Sequence, residues 1–303
     1  MTHSHDHDHG SLPRDFGNAF LVGIALNLGF VLAEAFFGLR SHSIALLADS
    51  GHNLSDVLGL VLAWGASVLA RRPTTSRHTY GYRRSSVLAA ISNAVLLLTT
   101  TGAIAWEGVQ RLMHPAVVDT GTVMLVASVG IVINTATALL FRGSRPSDLN
   151  VRAAYVHMLA DAAVSAGVVG AALLIRLTGA VWLDPLVSLL IAGLIVVGTW
   201  RLLRESVNLA LDAVPEHIDQ AGVRGYLTGL PGVVEVHDLH IWGMSTTEVA
   251  LTAHLIRPGP ASDAMLGDVC HELQARFAID HATLQIEQGD GSHPCHLAPE
   301  TVV

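Results

Sequence analysis

His52 with Asp56 and His157 with Asp161 are two copies of one arrangement. In each, a histidine is followed four positions later by an aspartate, inside an apolar stretch. On a helix, positions four apart share one face. An imidazole or carboxylate at bilayer depth is costly unless it has a partner or a function. Two such pairs on two helices can converge into two imidazole nitrogens and two carboxylate oxygens. That set suits a tetrahedral divalent metal, zinc first. Asp49, His52 and Asp56 follow a 3-then-4 spacing on one stripe, which makes Asp49 a candidate to orient an imidazole from behind. Gly51 and Gly59 let a neighbouring helix come close. The plainer reading, polar groups that only tie helices together, is weakened by the duplication.

The elements that must position these groups are membrane helices. The chain of 303 residues is 51% hydrophobic and 14% charged, where a soluble domain carries about 25% charged residues. Six apolar segments are long enough to cross roughly 30 Å of hydrocarbon: Phe16–Leu39, Ile44–Ala70, Val87–Val109, Thr122–Phe141, Val151–Leu177 and Leu186–Leu203. Arginine supplies every basic side chain. The loop after the second span holds Arg71, Arg72, Arg77, Arg83 and Arg84, and the loop after the fourth holds Arg142, Arg145 and Arg152. The other loops are poorer, with Arg40, Arg111 and Arg176. The positive-inside bias puts the rich loops, and with an even number of spans both termini, in the cytoplasm. Asn27, Glu34, Asn93, Glu107 and Asn134 also fall within spans, either lining a wet cavity or packing helix against helix.

The composition divides the chain into a His/Asp-rich segment 1–15, a six-helix transmembrane domain 16–211, a cytoplasmic domain 212–290 and a tail 291–303. The first segment is the opposite of a basic signal sequence, and His3, His5, His7 and His9 read as a loose, disordered metal trap. The third part reads α-β-β-α-β: a helix over His217–Thr228, strands over Val233–Trp242 and Glu248–Ile256, a helix over Asp263–Phe277 and a strand over Ala282–Glu287. The fold class is therefore membrane α-helical with a ferredoxin-like α+β domain appended. Two cysteines, Cys270 and Cys295, make no disulfide framework. A net charge of −8 without a long basic tract gives no sign of nucleic-acid binding.

These features together resemble the cation diffusion facilitator family, in its zinc-transporting branch of bacterial zinc/cadmium/cobalt exporters and animal zinc transporters. The likeness runs from about Phe16 to Glu287. It rests on His-x-x-x-Asp in the second and fifth spans and on His237-Asp238-Leu239-His240-Ile241-Trp242 in the tail. Ser43–Asp49, His78–Tyr82, Asn150–Ala154 and Asp184-Pro185 support it. The resemblance implies a homodimeric, proton-coupled antiporter that moves a divalent metal out of the cytoplasm, in a bacterial inner membrane. It places the transport site at His52, Asp56, His157 and Asp161. The histidine at position 52 resembles the zinc-preferring pattern, in keeping with the lower charge of imidazole. It also implies tail ligands His237, His254 and Glu287, for which a His/His/Glu set on separate strands suits zinc. His240, His281, Gln285, Cys295 and His296 are further candidates near them. The family's loop site after the second span is degraded here, because Tyr82 stands where some members carry a second histidine beyond His78.

Other functions compete with export of zinc. Within transport, the cargo could instead be cadmium, cobalt, nickel or manganese. A membrane metalloenzyme lacks support: there is neither His-Glu-x-x-His nor Gly-x-Ser-x-Gly, and four protein ligands leave no position for a catalytic water. A pure metal sensor lacks an attached signalling module.

Overall fold

The computed structural model describes residues 16–142, 149–260, 262–289 and 295–297; side chains at 16–27, 60, 140–142, 149–154 and 157 lie outside the described set. The His-rich segment before Phe16 and the side chains of Asn27 and His157 are therefore beyond what the structure describes. Six long helices come first: α1 (Phe16–Ser41), α2 (Ile44–Ala70), α3 (Ser85–Met113), α4 (Thr120–Arg142), α5 (Leu149–Thr178) and α6 (Leu183–Ala210). Then come α7 (Gln220–Thr228), β1 (Glu235–Gly243), β2 (Val249–Ile256), α8 (Asp263–Phe277) and β3 (His281–Glu287).

Among the described residues, α2, α3, α6, Thr120–Leu139 of α4 and Met158–Thr178 of α5 are long and apolar enough to cross a membrane. The first helix, at 26 residues, reaches about 39 Å at 1.5 Å per residue. Large apolar side chains such as Leu32, Trp64, Leu125, Val132 and Val197 point outward, as lipid-facing residues do. Inside, small residues let the helices close: Ala45, Ala48, Ala127 and Ala172 are buried with Phe30, Leu46, Val123 and Val168. Gly130 is held to glycine by this packing, because a Cβ there would meet the Phe30 ring at 2.8 Å.

The helix ends follow from local chemistry. His42 takes a left-handed φ of 56° after α1, and the Ser43 amide bonds back to the Gly38 carbonyl, a Schellman-type stop. Ser43 then caps α2, its Oγ accepting from the Leu46 amide at 3.2 Å. Asp184, from the first turn of α6, accepts from Ser43 Oγ at 2.5 Å and from the Ile44 amide at 2.8 Å. Before α4, Asp119 accepts from Thr122 Oγ1 at 2.6 Å and from the Thr122 amide at 3.3 Å. Those bonds hold its carboxyl below the ordinary aspartate range. The sixth helix outruns the apolar stretch Leu186–Leu203 that marks it in the sequence: it continues through Arg204 and Glu205 to Ala210, since these residues favour helix even where they leave the apolar run.

Two compact units are present, Met1–Leu58 with Leu96–Thr199 and Gly59–Val95 with Trp200–Val303. The second contains the three-stranded sheet, ordered β1-β2-β3, with β1 antiparallel and β3 parallel to β2. Both helices cover one face of it. Val223 and Leu227 of α7 and Val269 and Leu273 of α8 bury against Val236, Leu239, Ile241, Val249, Leu251, Ala253 and Leu255. Strand side chains alternate between faces, so His254 and Glu287 fall on the face away from the helices. On β1 the alternation is broken once. Opposite β2 the register passes from His237↔His254 to His240↔Thr252, one residue more on β1 than on its partner. The extra residue is Asp238, at φ 48°. This β-bulge brings His237 and His240, three positions apart, to the same open face.

Candidate functional site

Two clusters of metal-ligand side chains form, one in each unit. In the first unit, α2 and α5 bring His52 and Asp161 together. His52 Nε2 lies 3.7 Å from Asp161 Oδ1 and 3.7 Å from Asp56 Oδ2. The imidazole thus stands midway between a carboxylate one helical turn away and one from another helix. His157 lies on α5, one turn before Asp161, which puts it on the same helical face. The environment is graded: the Asp161 side chain is 3% exposed, that of His52 21% and that of Asp56 34%. One wall is closed by protein and the other is open.

Behind this cluster lies a buried polar layer. Asp49 is fully buried and accepts from Ser165 Oγ at 2.8 Å, one turn beyond Asp161 on α5. Its hydrogen bond ties α2 to α5, while the His52 ring and Asp161 lie within electrostatic reach. Glu34 of α1, also fully buried, accepts from Asn53 Nδ2 at 3.3 Å. Buried carboxylates grouped beside one imidazole are unfavourable if all are ionised without counter-charge. Of the other polar span residues, Asn134 is buried. Asn93 packs against Gly59, where a Cβ would meet its Nδ2 at 2.8 Å. Glu107, by contrast, is half exposed and accepts from Arg111 Nε at 3.0 Å, an ordinary surface pair.

In the second unit, His237, His254, Glu287 and Cys295 place one ligand atom each within 4.8 Å of one another. His254 Nδ1 is 3.2 Å from Glu287 Oε1 and 3.6 Å from Cys295 Sγ. His237 Nε2 is 3.5 Å from Glu287 Oε2. The His237 side chain is 3% exposed, yet neither ring nitrogen has a hydrogen-bond partner. A buried imidazole left without partners is uncommon, and a metal ion would satisfy it. Asp238, displaced by the bulge, reaches both neighbours on the open face: His240 Nε2 at 2.8 Å and His254 Nε2 at 3.4 Å. Asp238 thus stands behind the His254 ring while Nδ1 faces Glu287 and Cys295, the placement of an outer-sphere carboxylate.

The remaining candidates separate from this cluster. His240 is paired with Asp238. His281, exposed at the start of β3, meets the Tyr80 ring edge-on at 5.7 Å. Gln285 donates to Glu287 Oε1 at 3.0 Å. His296 is exposed. His78 stacks on Tyr82, with ring centroids 4.6 Å apart. Asp238 and Ser165 were not legible as site residues. A left-handed bulge at an aspartate leaves no periodic trace, although its place between two histidines is a signal in retrospect.

This geometry sits in a chain whose residues 20–209 match the cation efflux transmembrane domain and whose residues 215–289 match the cation efflux cytoplasmic domain. The chain belongs to the cation efflux, or cation diffusion facilitator, family: it is an integral membrane transporter and not an enzyme. It is similar to the zinc transporter ZitB of Escherichia coli, with 40% identity over 98% of this chain and 94% of that protein. The metal cation efflux system protein CzcD of Cupriavidus metallidurans is 33% identical, over 99% and 96% of the two chains. A cadmium, cobalt and zinc/H(+)-K(+) antiporter of Bacillus subtilis is 31% identical, over 95% and 93%.

Proposed function

We propose that this protein is a proton-coupled exporter of zinc, working by alternating access, with the cargo held by His52, Asp56, His157 and Asp161. The observation that carries this is His52 Nε2 standing 3.7 Å from carboxylates of both α2 and α5. Relatives named as zinc, cadmium and cobalt transporters support the cargo class. The nitrogen-and-oxygen ligand set favours a borderline ion such as zinc over hard manganese or magnesium.

Coupling to protons follows from ligand chemistry. Zinc binds neutral imidazole and ionised carboxylate, so loading expels protons held by those groups, and protons arriving from the far side expel the metal. A relative named as an H(+)-K(+) antiporter accords with this. Both termini lie in the cytoplasm in this reading. The domain of residues 212–290 joins two protomers there and binds zinc through His237, His254 and Glu287. The N-terminal histidines gather metal at the cytoplasmic mouth.

The test is uptake into sealed proteoliposomes with a panel of divalent ions, comparing the intact protein with Asp56→Ala and Asp161→Ala. Zinc flux that disappears in both variants, and that slows steeply when the pH gradient is collapsed, supports the proposal. Flux indifferent to either change refutes it.

A further inference from the structure

We infer that Cys295 is the fourth ligand of the candidate metal site on the sheet, so that metal binding latches Cys295 to the open face formed by β1, β2 and β3. The inference rests on the reading of His237, His254 and Glu287 as metal ligands and adds a sulfur to it.

Three of the separations lie near those of a zinc tetrahedron, within a group whose ligand atoms all fall inside 4.8 Å of one another. Zinc–nitrogen and zinc–oxygen bonds near 2.0–2.1 Å give ligand separations of about 3.3 Å, and a zinc–sulfur bond near 2.3 Å gives about 3.6 Å between sulfur and nitrogen. His254 Nδ1 stands 3.2 Å from Glu287 Oε1 and 3.6 Å from Cys295 Sγ, and His237 Nε2 stands 3.5 Å from Glu287 Oε2. The buried His237 ring makes no hydrogen bond, and its Nδ1 lies 3.8 Å from Glu235 Oε1 and its Nε2 3.5 Å from Glu287 Oε2. The four ligands come from β1, β2, β3 and the segment beyond β3. That segment turns at Gly289, φ 66°, where a Cβ would lie 2.5 Å from Ile256 Cγ2.

A filled Cys-His-His-Glu sphere leaves no open position, as in structural rather than catalytic zinc sites. Thiolate selects zinc, cadmium or cobalt and discriminates against magnesium and manganese. The thiol proton leaves on binding, so the occupied latch carries one more negative ligand than the two histidines and Glu287 supply.

Cobalt(II) reads this directly, because a thiolate ligand gives a sulfur-to-cobalt charge-transfer absorption that imidazole and carboxylate do not. The experiment uses the full chain carrying Asp56→Ala and Asp161→Ala, so that the transport site is silent. Cobalt chloride is added alone, and the N-terminal histidines contribute no sulfur band. The expected result is a charge-transfer band that persists in Cys270→Ser and is lost in Cys295→Ser, with the bound cobalt that remains held more weakly. A band that survives Cys295→Ser, or one missing from the parent, overturns the inference. Zinc should also protect Cys295 from alkylation by a maleimide, and equal labelling with and without zinc would count against the latch. Because transport is already abolished in this background, neither outcome bears on the export reading, which stands or falls on flux.

Discussion

His52 and His254 each face carboxylate, but in different settings. His52 stands 3.7 Å from two aspartates, one of them a third exposed, on helices that pack through small side chains. His254 stands 3.2 Å from Glu287 and 3.6 Å from a thiol, on a three-stranded sheet whose other face is a closed apolar core. The intramembrane group is slightly wider than a zinc tetrahedron and open on one side. The group on the sheet has separations of 3.2, 3.5 and 3.6 Å within a 4.8 Å cluster, and Asp238 lies 3.4 Å behind His254. The difference teaches how one pair of residue types serves two purposes. On the proposed reading, the helical set holds an ion that leaves and the set on the sheet one that stays.

The contrast can be broken most severely at Asp161. Asp161→Ala should lower the initial zinc uptake rate in proteoliposomes by more than about 100-fold, beyond the 10–100-fold typical of losing an outer partner, while metal bound by the cytoplasmic domain stays unchanged. The converse variant is Glu287→Ala. In a background without the transport site it should remove the tightly bound zinc measured by elemental analysis, yet leave uptake within a few-fold when made in the otherwise intact chain. Loss of transport equal to that of Asp161→Ala would erase the distinction between the two centres.

A finer test separates the bulge from its carboxylate. Asp238→Gly keeps the left-handed backbone, which glycine adopts without penalty, but removes the acceptor from His254. Zinc affinity of the cytoplasmic site should fall about 10-fold, with the thermal midpoint of the metal-free protein unchanged or slightly raised. Lowering the pH should release metal from this site as well, because both histidines must be neutral and Glu287 and Cys295 ionised. Affinity measured by chelator competition should therefore weaken steadily from pH 8 to pH 6. The smallest effect belongs to removal of residues 1–10, which should shift the apparent affinity for transported zinc modestly and leave maximal turnover intact.

Much of this was legible in the chain itself. The helices follow from apolar runs, and α2 begins and ends where the run Ile44–Ala70 does. The His-x-x-x-Asp spacing placed each pair on one helical face, because four positions is nearly a full turn, and His52 and Asp161 do come together. The strands and α8 emerged from alternation and from the apolar stripe Met265, Leu266, Val269, Leu273 and Phe277. What stayed hidden has a common cause. The bulge at Asp238 breaks the very periodicity that reveals a strand. The bond from Ser165 to Asp49 joins residues 116 positions apart. Pattern shows which face a residue occupies, and only tertiary packing shows whom it meets there.

Asp184 has a mechanical consequence. It belongs to the first turn of α6, but it holds the Ser43 hydroxyl and the Ile44 amide at the start of α2. A carboxylate that caps a helix other than its own acts as a rivet between two segments some 140 residues apart. The helix that carries His52 is pinned at this end, and its lever arm lengthens toward the other. Any rotation of α2 about the rivet would displace Asp56 farther than His52, because Asp56 lies one helical turn farther from Ile44.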